Sequence, residues 1–169
     1  MKLLPEVKPH LLLSFNLKKE AMNAVYFFSK EEKELIKSAV KEAELNTSGE
    51  IRVHLDNHCK EDVLDRAAWW FGKLEMQKTE QRNGVLFYLA VKDHKFAILG
   101  DAGINALTPD NFWDSIKEKM AEHFSEGNFS GGLKEGVLMA GQALKDHFPY
   151  QDGDVNELSD EISFGGAKE

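Results

Sequence analysis

The spacing of apolar and polar positions divides the chain into segments of different period. Leu35, Ile36, Ala39, Val40 and Ala43 recur at helical spacing. Phe28-Ser29-Lys30-Glu31-Glu32 just before them reads as a capping box. Ser29 caps, Glu32 reaches back three residues, and Phe28 is placed as a hydrophobic staple. Asn46-Thr47-Ser48-Gly49 stops this helix. The period then drops to two: Ile51, Val53 and Leu55 alternate with Glu50, Arg52 and His54, the pattern of a half-buried strand.

Helical spacing returns over about 61–77, where Val63, Leu64, Ala67, Ala68, Phe71 and Leu74 form one stripe. Trp69 and Trp70 widen that face and read as core or edge packing. Residues 84–91 are almost all apolar, which marks a strand covered on both faces. Lys92-Asp93-His94-Lys95 makes a tight connection to a returning strand that carries Phe96, Ile98 and Leu99. Pro109-Asp110 precedes a helix with Phe112, Trp113, Ile116, Met120 and Phe124, and Asp110 is its natural N-cap. Gly127-Asn128 breaks that helix. A last one is expected over about 130–147, with Leu133, Val137, Leu138, Ala140, Ala143 and Leu144 inward. Gly131, Gly132, Gly136 and Gly141 weaken its intrinsic propensity and so point to close packing against the sheet or a neighbouring helix.

These elements predict an α/β fold: a mixed sheet of three to four strands with a β-α-β unit and a hairpin, helices on both faces. Residues 1–24 are expected to be a disordered N-terminal extension, 25–149 the domain, and 150–169 an acidic, mobile tail in which Ile162-Ser163-Phe164 is the part expected to dock. Met22 is a candidate start, because the well-formed fold begins just after it. There is no internal repeat.

Composition narrows the function classes. The chain of 169 residues suits one domain with a proper core. With 29 acidic and 21 basic residues its net charge is -8, which argues against nucleic acid and anionic membrane surfaces as partners. Cys59 is the only cysteine, so a disulfide framework or multi-cysteine zinc site within one chain is excluded. No segment approaches the roughly 18 consecutive apolar residues of a spanning helix. Pro5, Glu6, Lys8, Pro9 and His10 interrupt the apolar positions before Leu11-Leu12-Leu13, so no signal peptide is read there and a cytoplasmic monomer is expected.

The candidate chemistry follows from connectivity. If the first two strands are parallel with a right-handed crossover, and the third antiparallel to the second, one sheet edge gathers Glu50, Arg82, Asn83 and Gly100-Asp101-Ala102-Gly103. Asp110 can join through the following loop. Carboxylates mixed with an amide suit a hard divalent cation, and Arg82 beside them suits a phosphate. The structural alternatives are that Asp110 only caps, that Glu50 pairs with Arg82, and that Asp101 belongs to a turn. The opposite edge offers a rival set, His54, Asp56, His58, Cys59, Asp93 and His94, whose mixture suits zinc or another borderline metal. There is no G-x-S-x-G elbow, no Gly-rich phosphate loop and no G-x-G-x-x-G.

Ser48-Gly49-Glu50-Ile51, Arg82-Asn83-Gly84-Val85-Leu86 and the run Phe96 to Ile104 together resemble the TPM domain family. Phe124-Ser125-Glu126-Gly127-Asn128-Phe129 and Gly132-Leu133-Lys134-Glu135-Gly136-Val137 are similar to its closing helix-turn-helix. The resemblance spans about residues 29–148. It implies a mixed sheet between helices, a divalent-cation site with calcium first and magnesium as the alternative, and an acid-phosphatase activity found in some members. Glu50, Asn83, Asp101 and Arg82 fall within the matching motifs; Asp110 lies in a less regular part. Two functions are therefore expected: a cation-binding module that docks a protein partner, or a metal-dependent phosphatase acting on phosphomonoesters.

Overall fold

The structure, a computed structural model, describes residues 2–3 and 23–166. Most of the expected N-terminal extension, Met22 as a start, and the last three residues lie outside the described residues.

Among the described residues, five strands make one mixed sheet: β1 (Lys2–Leu3), β2 (Glu50–Asp56), β3 (Gly84–Ala90), β4 (Lys95–Gly100) and β5 (Ser163–Phe164). Their order is β1-β4-β3-β2-β5. The three long strands are those the sequence predicts; the outer two are two-residue additions. β2 and β3 are parallel, with Glu50 opposite Gly84, and β3 and β4 form the antiparallel hairpin, with Val85 opposite Gly100. Between β2 and β3 runs α3 (Val63–Lys73), capped by Asp62, whose carboxylate accepts the N–H groups of Leu64 and Asp65. It ends earlier than the periodicity predicts, because Glu75 takes a left-handed conformation (φ 58°) and a short 3-10 turn, Met76–Lys78, follows.

The opposite face is covered by α2 (Lys30–Glu44), α5 (Asp114–Ser125) and α6 (Phe129–Leu144), with the one-turn helices α1 (Ala24–Phe27) and α4 (Ala102–Asn105) at its margins. The Ser29–Glu32 capping box forms in both directions, at 3.1 and 3.2 Å. The larger core lies on this side, where Ile51, Val53, Leu55, Phe87 and Leu89 meet Ile36, Val40, Met120, Phe124 and Val137. A smaller core under α3 holds Ala67, Phe71, Met76, Leu86 and Tyr88. The helical glycines sit at close approaches, as their spacing suggests. A Cβ at Gly141 would lie 2.7 Å from the carbonyl oxygen of Ala43, and one at Gly136 would lie 2.5 Å from the sulfur of Met120.

Three expectations are corrected. β2 is not half-exposed: Glu50, His54 and Asp56 are buried at 4, 0 and 3% exposure, because α3 and the tail cover their face. Asp110 does not cap a helix. It is exposed in a turn, and α5 begins at Asp114 with Trp113 in the cap position and no capping side chain. Nor is the tail free before its expected docking point at Ile162-Ser163-Phe164, since Glu50 holds the Glu157 and Leu158 N–H groups. The tail returns along β2, pairs His54 with Ser163 and Leu55 with Phe164, and donates the Gly165 N–H to the Leu55 carbonyl at 2.9 Å.

Replacing Gly141 with Ala should destabilise the fold by about 1–3 kcal/mol, the usual cost of overpacking. The obstruction is the backbone of α2, which cannot swing aside. A lower urea midpoint at unchanged slope is the expected reading.

Candidate functional site

The predicted edge exists. Asp101 donates its N–H to the Gly84 carbonyl at 3.0 Å, and Glu50 donates its own to the Asn83 carbonyl at 3.3 Å, so the two acids flank the start of β3 from neighbouring strands. Their side chains face different partners. Both Asp101 oxygens lie in a fork from Arg82, with Nε and Nη2 each at 2.8 Å. Asp101 also accepts the Ala102 N–H at 2.7 Å and so caps α4, a helix the sequence reading treated as a turn. Arg82 itself is half-exposed and sits at φ 51°, a left-handed conformation that non-glycine residues rarely adopt. Its carbonyl accepts the Gly103 N–H at 2.9 Å, and a Cβ at Gly103 would lie only 2.6 Å from that carbonyl oxygen. The backbone contact therefore requires glycine there.

Asn83 is buried at 1% exposure. Its amide donates to the Ser48 carbonyl at 3.2 Å, while its Oδ1 has no hydrogen-bond partner among the described residues. Orphaned buried oxygens are uncommon in folded proteins. Asp110 makes no side-chain hydrogen bond or ion pair with any of these groups.

The Glu50 carboxylate turns toward the tail and accepts the N–H groups of Glu157 at 2.8 Å and Leu158 at 3.4 Å. Beside it opens a cavity of about 260 Å³ between the end of α2, residues 47–50 and the tail. Its acidic lining is Glu44, Glu50, Asp154 and Asp160. Glu44 accepts the Ile51 N–H at 2.9 Å. Burial pushes the Glu44 carboxyl up to about 9 against that hydrogen bond, with the charges of Glu50 and Asp160 adding to the rise. Burial likewise pushes Glu50 up to about 7, opposed by its two backbone hydrogen bonds and assisted by Glu157 and Asp160. As they stand, no three His, Cys, Asp or Glu side chains among the described residues form a group able to hold a metal ion.

The rival edge is built as a polar core. Asp56 accepts from Arg66 Nε at 3.0 Å, Trp70 Nε1 at 2.8 Å and the Tyr88 hydroxyl at 2.7 Å, with His54 Nε2 at 3.4 Å. Burial opposes ionisation of Asp56, but these hydrogen bonds outweigh it and bring the carboxyl down to about 2. His54 is enclosed between the rings of Trp70 and Tyr88, and its Nδ1 meets Ser163 Oγ at 2.8 Å. Asp93 is held by His58 and by the Cys59 N–H, at 3.0 and 2.6 Å. The Cys59 thiol is buried, and burial pushes it up, away from the thiolate. A bound zinc would have to displace this network.

Comparison with known proteins fits this geometry. The model of the TPM domain matches residues 23–143. The chain belongs to the TPM domain family. Among solved structures, the NMR structure of the BA42 protein from the psychrophilic bacterium Bizionia argentinensis is 46% identical. The match covers 82% of this chain and 96% of that one, with a TM-score of 0.78. The N-terminal domain of a P. gingivalis protein shares the fold at 22% identity and TM-score 0.60, covering 73% of this chain and 82% of that one. The N-terminal domain of cg2496 from Corynebacterium glutamicum does so at 11% identity and TM-score 0.57, covering 94% and 93%. No curated protein matches this chain. Among the described residues of this TPM domain, no helix is long and apolar enough to cross a membrane.

Of the five predicted site residues, the TPM fold thus joins Arg82 to Asp101, buries Glu50 and Asn83 close by, and leaves Asp110 exposed in a turn. Sequence reasoning missed Glu44, Asp154 and Asp160. Glu44 looks like any solvent-facing position of an amphipathic helix, and the tail acids look like a solvated charge run.

Because Glu44 and Glu50 titrate above the usual 4.5 in the fold, the native state holds more protons than the unfolded chain from that value up to about 9 and about 7 respectively. Stability should therefore fall as pH rises through that window in chelated buffer. Glu44→Gln should flatten the fall while leaving the acid limb, where Asp56 loses its contribution as pH drops toward about 2. Urea midpoints across pH check this; a wild-type midpoint that rises between pH 5 and 8 would contradict it.

Proposed function

We propose that this TPM domain is a cation-responsive binding module, with calcium as the first candidate ion and magnesium as the alternative. The observation that carries the reading is Glu50, a carboxylate buried at 4% exposure on the predicted edge: burial and the charges of Glu157 and Asp160 push it up, and burial with the charges of Glu50 and Asp160 pushes Glu44 up beside it. Carboxylates crowded together out of water gain when a divalent ion neutralises them.

The ligand set first read from sequence fits such an ion only in part. Asp101 is committed to Arg82, and Asp110 is exposed in a turn. Glu50 fits, and so does Asn83, whose Oδ1 is buried without a partner. Glu44 and Asp160 are the acids we add. When bound, the ion would supply charge neutralisation and nothing more. Since Glu44 and Glu50 belong to the domain and Asp160 to the tail, its presence would strengthen the hold of residues 150–166 on the sheet edge. That coupling is the regulatory property we assign, and a protein partner reading this edge would sense the ion.

The alternative, a metal-dependent acid phosphatase on phosphomonoesters, gives Arg82 the phosphate. Arg82 instead spends two N–H groups on Asp101, which leaves less of its guanidinium for a phosphate. The binding reading is therefore the better supported.

Calcium, then magnesium, titrated into chelated ¹⁵N-labelled protein should give saturable amide shifts at Glu50, Asn83 and residues 157–160. Glu50→Gln should weaken binding about tenfold or more, as expected for losing a charged ligand. Silence with both ions at millimolar concentration would end the cation reading. Metal-dependent hydrolysis across a phosphate panel that Arg82→Ala abolishes would favour the enzyme instead.

A further inference from the structure

The cavity beside Glu50 has a rim that an inorganic ion would leave unused. Leu45, Tyr150 and Val155 line it while remaining 74, 50 and 75% exposed. Most large apolar side chains of this domain are buried, so three exposed ones around a single opening form a distinct surface feature. Beneath them lie the carboxylates of Glu44, Glu50 and Asp160. An apolar collar over an acidic floor is the complement of a side chain with an apolar stem and a cationic end. At about 260 Å³ the space falls just below the roughly 300–1,000 Å³ typical of small-molecule pockets. It is of a size to take one long side chain.

Arginine matches better than lysine on two counts. Its guanidinium is more weakly hydrated and forks onto carboxylates, and it stacks on an aromatic ring such as that of Tyr150. We propose that this cavity receives an arginine side chain from a basic segment of a partner protein, its stem against Leu45, Tyr150 and Val155 and its guanidinium on Glu44 and Asp160. The net charge of -8 favours the encounter, since acidic proteins attract basic segments at range. Lys41 carries the only positive charge among the described lining residues, and it is exposed, where water screens it. The proposal uses the acidic edge of the cation reading but does not require that a metal bind there.

The test titrates a blocked leucine–arginine–leucine tripeptide into ¹⁵N-labelled protein in chelator, with the norleucine-for-arginine peptide as control. Saturable amide shifts at residues 44–50 and 150–160 with the arginine peptide are expected. Affinity should drop about tenfold or more in the Glu44→Gln, Asp160→Asn double variant, and several-fold in Leu45→Ser, a surface change that leaves the fold intact. Absence of saturable shifts at millimolar peptide overturns the proposal. So do equal shifts with the norleucine peptide, or undiminished binding to the double variant. Calcium titration of the same samples separates the two readings. Peptide shifts without calcium shifts sustain this proposal while the cation reading fails; the reverse pattern overturns this proposal alone.

Discussion

The polar face of β2 constrains the rest of the architecture. One side of the strand, Ile51, Val53 and Leu55, enters the larger core in the ordinary way. The other side places Glu50, Arg52, His54 and Asp56 under cover, and buried polar groups cost free energy unless partnered. Partners are drawn from three directions. α3 brings Arg66 and Trp70 to Asp56, β3 brings Tyr88, and the tail brings Ser163 to His54 and two N–H groups to Glu50. The tail is therefore part of the domain in energetic terms, although its composition resembles that of a solvated extension. Arg52 is the residue left over: its Nε is buried without a partner among the described residues, and burial lowers its pKa.

Local patterns were readable where local physics decides the outcome. The capping box of α2, the apolar run of β3, the hairpin turn and the tight glycines of α6 all follow from neighbours within a few residues or from steric demand. The parallel pairing of β2 with β3 followed from the crossover length, and it placed Glu50, Arg82, Asn83 and Asp101 on one edge. What could not be read depended on contacts remote in sequence. The alternation in β2 correctly gives two faces, but it cannot say that a helix and a returning tail will bury the polar one. Asp110 has the residue type and position of an N-cap, yet tertiary packing of Phe112 and Trp113 sets the helix start later. Asp101 falls on the predicted edge, but its fork with Arg82 depends on a left-handed Arg82 that no periodicity announces.

The candidate site inherits this division. Its β-strand members follow from the strand connectivity, whereas Glu44 and the tail acids come from packing. Electrostatic frustration concentrates where the two meet: carboxylates gather at a protected opening, and one amide oxygen remains unpaired. The other buried carboxylates are held in ion pairs, Asp101 by Arg82 and Asp56 by Arg66. The unneutralised group at Glu44, Glu50 and Asp160 stands out against that background, and both functional readings draw on it.

The tail strand also bears on the order in which the molecule is completed. Ser163 follows His54 by 109 residues. At roughly 5–20 residues per second, a ribosome finishes β5 on the order of ten seconds after β2. Until then, nascent β2 has only α3 and β3 to shelter its histidine and carboxylates, and its outer edge stays open to any passing strand. A chaperone that recognises exposed strand edges would find its substrate in that interval, and release would coincide with arrival of the segment that closes the sheet.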